Sequence, residues 1–374
     1  MAKKILYVAS SYIHLMNFHL PYLRALSERG WEVHAVCGDT RGDIPYAART
    51  IVVPFKKKMS APDNFRAALQ LRRLVRWENY ELVIVHTSLA AFFTRLALKG
   101  LRRRPKLVNM VHGYLFDDDT PSAKRRILLA AEKLTARQTD LVLTMNAWDE
   151  ALARREKLGA RIGFVPGVGV DFKRFAAISP EKGRELRRTL GIADGNFVLL
   201  YAAELSVRKS QSLLIRALAE LPESCRLVLA GNGAERESCE ALCSELGLAD
   251  RVLFPGHVSN IGDWLSMADA VVSTSRSEGL PFNIMEAMAM HKCVAASAVK
   301  GHTDLLEDGR SGLLFPYGDV SACAAAIRRL MDDGALRESI ADEAQRDVEQ
   351  YRLERVFPLV MAEYESLLPQ PVTI

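Results

Sequence analysis

The chain has 374 residues, 49% hydrophobic and 25% charged, with 23 Gly and 15 Pro, which excludes disordered, collagen-like, coiled-coil and low-complexity classes. Residues 1–175 hold 30 Lys plus Arg against 16 Asp plus Glu, a net of +14, whereas the remainder holds 20 against 29, a net of −9. Such asymmetry points to a polyanionic partner for the first half, with a solvated basic face as the plainer alternative. Ile5 to Ala9 is a continuous apolar run of the buried parallel-strand type. A polar loop, Ser10 to Phe18, follows it. The spacing then predicts a helix from about His19 to Arg29, closed by Gly30 as a C-cap. Further strands are expected at Trp31 to Cys37, Leu82 to Val85, Leu107 to Val111, Leu141 to Thr144 and Ile162 to Val165. Strands separated by helical stretches imply right-handed crossovers and a parallel sheet.

After Pro166-Gly167-Val168-Gly169-Val170-Asp171 the pattern restarts. A polar helix, Pro180 to Leu190, precedes a strand at Phe197 to Tyr201. More strands follow at Arg226 to Ala230, Val252 to Phe254, Ala270 to Ser273 and Cys293 to Ala296, with helices such as Ser210 to Glu220 and Pro281 to Met290 between them. The chain reads as α/β, two doubly wound domains meeting between residues 172 and 195. No run approaches the roughly 18 apolar residues that span a bilayer. The first apolar run is too short for a signal-peptide core, so a cytoplasmic location is expected. The six cysteines (37, 225, 239, 243, 293, 323) form no C-x-x-C pair, which fits neither a zinc knuckle nor a disulfide framework.

Open parallel sheets bind ligands at the carboxyl ends of their strands. Ser10 to Phe18 lacks G-x-G-x-x-G, and no G-x-x-x-x-G-K-[ST] occurs, which weighs against a dehydrogenase and a P-loop nucleotidase. Gly231-Asn232-Gly233 follows a strand and precedes a helix, as either a tight turn or a phosphate cradle. The strongest constellation is Ser277 to Met288. Gly279 gives backbone freedom, Pro281 suits the first residue of a helix, and the amides of 280 to 283 form an anion site at its positive end. Glu278 before the helix and Glu286 within it suit sugar hydroxyls on either side of a diphosphate. An N-terminal acid favoured by the helix dipole, with a solvated helical Glu, is the alternative. Lys209, in the loop after Phe197 to Tyr201, can neutralise a leaving diphosphate; an exposed helix-start lysine is the other reading.

These stretches together resemble a retaining glycosyltransferase of family GT4, with the GT-B architecture of two facing Rossmann-like domains and a C-terminal helix crossing back. The matching segments are Glu204 to Gln211, Gly231-Asn232-Gly233, Arg251 to Val258, Ala268-Asp269-Ala270, Glu278 to Glu286 and Asp308 to Leu314. The first half resembles the capsule and exopolysaccharide branch through His14, Asn17 to Leu23, Val111-His112-Gly113 and Pro166 to Asp171. The resemblance implies an acceptor-binding domain at 1–175, a nucleotide-sugar domain at 176–355 and a strap at 356–374. It implies that Glu278 holds a donor-sugar hydroxyl and Glu286 the nucleotide ribose. The backbone of Gly279, Leu280, Pro281 and Phe282, donating through the N–H groups of all but the proline, and the Lys209 side chain would meet the diphosphate. Gly231 and Asn232 would join the donor site, and His257 and Val258 would lie near the base. His112 and Gly113 would face the donor across the cleft. The loop carrying Ser11 and His14 would close over the phosphates.

Two departures stand out. Ala203-Glu204 replaces the family's frequent Gly-Arg, removing one diphosphate cation, and whether Arg208, beside Lys209, compensates is left open by the sequence. Asp117-Asp118-Asp119 resembles a metal-binding acidic motif of another transferase architecture; a solvated loop is the reading preferred, and no metal or other cofactor is expected. The implied reaction moves a hexose or N-acetylhexosamine from a UDP-sugar to a lipid-linked saccharide in cell-surface polysaccharide synthesis. A sugar-nucleotide epimerase and a non-catalytic saccharide or lipid-phosphate binding protein are the rivals. Nucleic acid is not an expected partner, since the basic half lacks interleaved aromatics. The apolar segment Leu89 to Leu98, flanked by Arg102, Arg103 and Arg104 and by the basic clusters Lys56 to Lys58, Arg72-Arg73 and Lys124 to Arg126, is expected to lie on an anionic membrane; a core helix of the first sheet is the other reading, and the preferred one for Leu96 and Leu98. The membrane reading makes the protein peripheral on the cytoplasmic face of the cell membrane.

Overall fold

The computed structural model describes residues 3–368 and divides into two units, one running to Gly169 and resuming at Leu353, the other Val170–Arg352. The first unit is built from β1 (Lys4–Val8), α1 (Tyr12–Phe18), α2 (Leu20–Glu28), β2 (Glu32–Cys37), β3 (Arg49–Val52), α3 (Pro62–Glu78), β4 (Leu82–His86), α4 (Ser88–Leu98), β5 (Lys106–Met110), α5 (Ser122–Thr135), β6 (Leu141–Thr144), α6 (Ala147–Glu156) and β7 (Arg161–Phe164). Its sheet runs β3-β2-β1-β4-β5-β6-β7, and every pair is parallel. The central strands read as unbroken apolar runs because both sheet faces are covered: Ile5 to Val8 and Leu82 to Val85 are inaccessible to solvent.

The second unit opens with a 3-10 turn, Phe172–Phe175. It continues through α7 (Pro180–Thr189), β8 (Phe197–Ala202), α8 (Gln211–Ala219), β9 (Cys225–Ala230), α9 (Arg236–Glu245), β10 (Val252–Gly256), α10 (Ile261–Met267), β11 (Ala270–Ser273), α11 (Phe282–Ala289), β12 (Cys293–Ser297), β13 (Leu313–Phe315), α12 (Val320–Asp332) and α13 (Gly334–Val348). Its sheet order is β10-β9-β8-β11-β12-β13, again parallel throughout. Both sheets therefore change direction beside their first strand, between β1 and β4 and between β8 and β11. A crevice opens at the carboxyl ends of the strands at each such point.

The chain returns to the first unit as α14 (Leu353–Glu365), burying Val356, Val360, Met361 and Tyr364. Gly169 is where this is possible: with φ +74, a Cβ there would stand 2.7 Å from the Leu353 Cα. The last six residues of the segment read as a strap, 369–374, lie outside the described residues. The second compact unit starts at Val170, whose N–H donates to the Tyr351 carbonyl at 2.9 Å and which bridges Arg352.

Four expectations need correction. The stretch expected as a polar loop after β1 is mostly helix: Ser11 Oγ caps α1 by accepting from the His14 amide at 3.3 Å. Leu89 to Leu98 is not a surface segment. In α4, Leu89, Ala90, Ala91, Phe93, Ala97 and Leu98 are core, and Arg95 is fully buried against Glu132 at 2.7 Å. Arg104 is bound to Asp140 at 2.5 Å, so its charge is spent within the fold, while Arg102 and Arg103 are exposed. Arg72, counted among the basic clusters, donates to the Ala97 and Lys99 carbonyls and closes the end of α4.

Candidate functional site

In the second unit, the loops after β8 and β11 border the crevice and carry charged side chains into contact. Lys209 Nζ lies 2.5 Å from Glu278 Oε1, and Arg208 Nη1 lies 2.9 Å from Glu278 Oε2. The backbone is shaped to allow this. Ser210 takes a left-handed conformation, φ +52, at the start of α8. The Lys209 carbonyl accepts from Tyr201 Oη at 2.9 Å and Thr274 Oγ1 at 3.2 Å, tying one loop to the end of the other. Arg276 N–H donates to the Arg208 carbonyl at 2.8 Å. Gly301 passes beneath Glu278, where a Cβ would meet the Glu278 Cβ at 2.8 Å.

Glu278 is buried, which by itself would raise its carboxyl; the Lys209 and Arg208 cations outweigh burial and hold it at about 2. Burial lowers the Lys209 ammonium, against the pull of Glu278. His302, buried and bonded to Ser273 Oγ at 3.0 Å and the Ser297 carbonyl at 2.7 Å, supports the same loop and is pushed by burial down to about 4. Leu280 is buried, and Pro281 is the N-cap of α11 rather than its first residue, which leaves Phe282 to open the helix. Glu286, on the next turn of α11, pairs with Arg174 of the 3-10 turn. Burial raises the Glu286 carboxyl, and Arg174 only partly offsets this.

Gly231-Asn232-Gly233 packs beneath the β8 loop. Leu205 N–H donates to the Asn232 carbonyl at 3.0 Å. A Cβ on Gly231 would fall 1.9 Å from the Ala203 carbonyl oxygen, and one on Gly233 2.0 Å from that of Leu205. Close backbone packing therefore accounts for both glycines. His257 and Val258 follow β10, His257 exposed and Val258 half-buried. Glu204 is exposed; its carbonyl accepts from Gln211 Nε2 at 2.9 Å.

In the first unit, His112 and Gly113 follow β5, and the Gly113 carbonyl accepts from Ser88 Oγ at 2.9 Å. His112 Nε2 lies 3.1 Å from His86 Nδ1. The His14 ring meets the His112 ring edge-on at 4.7 Å, and His19 packs on His86 at 3.9 Å between centroids. Burial pushes His14 down to about 4 and holds His19, His86 and His112 well below the usual imidazole value. Asp118 pairs with Arg125 at 2.9 Å and accepts from Trp148 Nε1 at 2.6 Å, while Asp117 accepts from Thr120 Oγ1 at 2.7 Å. These two acids are used within the fold.

Sequence reading therefore brought together Lys209, Arg208 and Glu278, and missed Arg174, His302, His19 and His86. Arg174 follows the Pro166 to Asp171 motif by three residues, so a cation there was the available signal. His302 sits in the loop between β12 and β13 with no motif of its own.

Two parallel doubly wound domains, one presenting paired cations and a carboxylate at its crevice, have the architecture of an α/β enzyme with an anion-binding crevice, and the comparisons name the class. Residues 20–167 match the Glycosyl transferase 4-like domain and residues 183–347 match Glycosyl transferases group 1. The protein named EpsD of Bacillus subtilis (strain 168), a glycosyltransferase by its name, is 33% identical over 352 residues, 92% of each chain. An Escherichia coli UDP-Gal:alpha-D-GlcNAc-diphosphoundecaprenol alpha-1,3-galactosyltransferase is 23% identical over 87% of this chain and 85% of its own. Among solved structures, Anabaena HepE in complex with UDP and glucose superposes with a TM-score of 0.78 at 21% identity, over 97% of this chain and all of the other. The chain belongs to the group 1 glycosyltransferases, family GT4, and is a glycosyltransferase with the GT-B fold.

Proposed function

We propose that the enzyme transfers a hexose or N-acetylhexosamine, with retention, from a UDP-sugar to a lipid-linked saccharide in cell-surface polysaccharide synthesis. The observation that carries the reading is the Lys209–Arg208–Glu278 set at the crevice of the second sheet. Lys209 and Arg208 take the diphosphate, whose charge grows as the glycosidic bond to it breaks, and the N-terminus of α11 from Gly279 to Phe282 adds its dipole. Glu278, released from part of its ion pairing, accepts from a donor-sugar hydroxyl. Glu286 accepts from the ribose, with Arg174 yielding to it. Gly231 and Asn232 border the donor, and His257 and Val258 lie near the base. No metal takes part at the diphosphate, since side-chain cations serve there. In the first unit, His112, Gly113, His14 and the Ser11-capped turn contact donor or acceptor. HepE's complex with UDP and glucose and the lipid diphosphate in the Escherichia coli relative's name support the donor and acceptor classes.

The acceptor would be met at an anionic membrane surface. Among the described residues no helix is long and apolar enough to cross a membrane. The surface with the right composition is α3, where Phe65, Leu69 and Trp77 are exposed, Trp77 by 83%, beside exposed Arg66, Arg73 and Arg76. Apolar side chains among cations suit an interfacial helix, each cation contributing about 1 kcal/mol. Arg102 and Arg103 add to that charge.

The test is a panel of UDP-sugars incubated with polyprenyl-diphosphate-linked saccharides. Acceptor-dependent release of UDP, and a product whose anomeric proton keeps the donor's configuration by NMR, are expected. Release from no UDP-sugar, or an inverted product, overturns the reading. Sedimentation with anionic liposomes tests the membrane part: Trp77→Ser with Arg73→Ser and Arg76→Ser should weaken binding, and salt should too. A protein that ignores such liposomes at low salt takes its acceptor elsewhere.

A further inference from the structure

The crevice of the first sheet holds a cluster that no glycosyl-transfer step described above requires in full. His14 and His19 follow β1, His86 ends β4 and His112 follows β5. Three chain segments thus deliver four imidazoles to the point where the strand order changes direction. One ligand nitrogen from each can be chosen so that all four lie within 4.8 Å of one another. His14 Nε2, His19 Nε2 and His86 Nε2 are buried and have no hydrogen-bond partner among the described residues. A buried nitrogen left unpaired has given up water without gaining a bond in return. A ligand shared by His14 Nε2, His19 Nε2 and the His86 Nδ1–His112 Nε2 pair would satisfy the first two of these, His86 offering it one nitrogen only.

We propose that these four histidines form a binding site for a divalent transition-metal ion, Zn2+ in the first instance. Neutral imidazole suits Zn2+, and nothing in the cluster is hard oxygen of the kind Mg2+ or Ca2+ prefers. His86 Nδ1 and His112 Nε2 stand 3.1 Å apart. Two ring nitrogens at that separation need a proton or a cation between them. The edge of a tetrahedral site with 2.0–2.1 Å bonds is about 3.3 Å, so an ion can take the proton's place. Closing the longest separation onto that edge asks for side-chain rotation of about an ångström or two. Tyr7 Oη lies 2.9 Å from His19 Nδ1 and its ring stacks on His86 at 4.8 Å. An Nδ1–H bonded to Tyr7 leaves His19 Nε2 as the lone pair, the outer-shell arrangement that orients a metal-ligating imidazole. No carboxylate belongs to the cluster, so the bound ion keeps its full charge, and four imidazoles close its tetrahedral shell. The site departs from the expectation that the chain binds no metal.

The test needs no donor and no turnover. Tag-free full-length protein, stripped by chelator, is titrated with Co2+ and then Zn2+. One equivalent of Co2+ should bind with the visible d–d absorption of a four-coordinate nitrogen site, and Zn2+ should displace it. The six buried cysteines lie elsewhere in the fold, so thiolate charge-transfer bands should be missing. His19→Gln and His86→Gln should each weaken Co2+ binding at least tenfold, with metal-free melting curves showing that the variants fold. Should either variant unfold, X-ray absorption on the zinc-loaded wild type decides: imidazole-nitrogen scattering supports the site, and a sulfur or all-oxygen shell overturns it. Absence of stoichiometric binding at micromolar metal, or equal binding by a folded His19→Gln/His86→Gln double variant, also overturns it.

Discussion

Replacing Lys209 by Met removes a charge from a buried carboxylate while keeping most of the side-chain volume. The Glu278 carboxyl, raised by burial but pulled down chiefly by Lys209 and then by Arg208, stands at about 2 against an ordinary 4.5. At 1.36 kcal/mol per pH unit, that gap is worth about 3 kcal/mol of stability at neutral pH. Arg208 is half exposed, so water screens its share, and Lys209, only 12% exposed, carries the larger part. The expected loss for Lys209→Met is therefore about 2 kcal/mol at pH 7, somewhat under the cost of leaving a buried charge wholly unpaired. Urea denaturation should show it as a lower midpoint at unchanged slope.

The sign of the pH dependence is fixed by the direction of the shift. Glu278 is an acid held below its unfolded value, so its contribution is fully present above about pH 4.5 and is lost as pH falls toward 2. Wild type and Lys209→Met should converge over that range. In a double-mutant cycle with Glu278→Gln, the coupling should recover most of the 2 kcal/mol, because a neutral amide no longer needs the cation. Additive losses, or an undiminished gap at pH 3, would refute the assignment of Lys209 as the main partner. In the transfer assay the same variant should lose turnover more than donor affinity, since Lys209 acts on charge that grows in the transition state.

Glu286 runs the other way: burial raises its carboxyl, so the charged form costs stability as pH rises above the ordinary 4.5. Glu286→Gln should therefore melt higher than wild type at pH 7 and lose that advantage below pH 4.5, by scanning calorimetry. Glu286→Ala should weaken UDP binding by about 1.5–3 kcal/mol if it accepts from the ribose, readable by titration calorimetry. Arg95→Leu should destabilise by about 3–5 kcal/mol, because it strands buried Glu132, and adding Glu132→Leu should restore much of the loss in chemical denaturation. Gly231→Ala forces a Cβ against the Ala203 carbonyl and should cost at least about 1–3 kcal/mol, with the β8 loop displaced in its crystal structure.

Strands buried on both faces announced themselves, as Ile5 to Val8 and Leu82 to Val85 do, because a parallel sheet needs no alternation. What stayed hidden had weak local signal. β3 and β13 are edge strands of four and three residues, too short for periodicity. α1, with seven residues, is defined by the Ser11 cap and not by an apolar stripe. Leu89 to Leu98 looked interfacial since it is apolar on most sides; that same property marks a core helix, and only burial distinguishes them. At the site, Lys209 and Glu278 were legible because each sits in a loop after a strand flanking the crevice. Arg174 and the His19–His86 contact depend on which segments the sheet order brings together, which spacing along the chain does not encode.

Net charge and site chemistry prove to be independent here. The half of the chain from residue 176 onward carries −9, yet its crevice presents Lys209 and Arg208. The half up to residue 175 carries +14, yet the crevice of its sheet is lined by imidazoles that burial keeps neutral. The excess cations of the first half sit instead on outer turns and helix faces, at Lys56 to Lys58, Arg73, Arg76, Arg102 and Arg103. A long-range field of that kind acts through solvent within a Debye length and draws the protein toward an anionic surface. A site charge acts at contact, in low dielectric, on one group of one ligand. Removing Arg102 and Arg103 should therefore change liposome binding and its salt dependence while leaving UDP affinity untouched, and Lys209→Met should do the reverse. If either variant moved both quantities together, surface charge and site charge would have to be treated as one system.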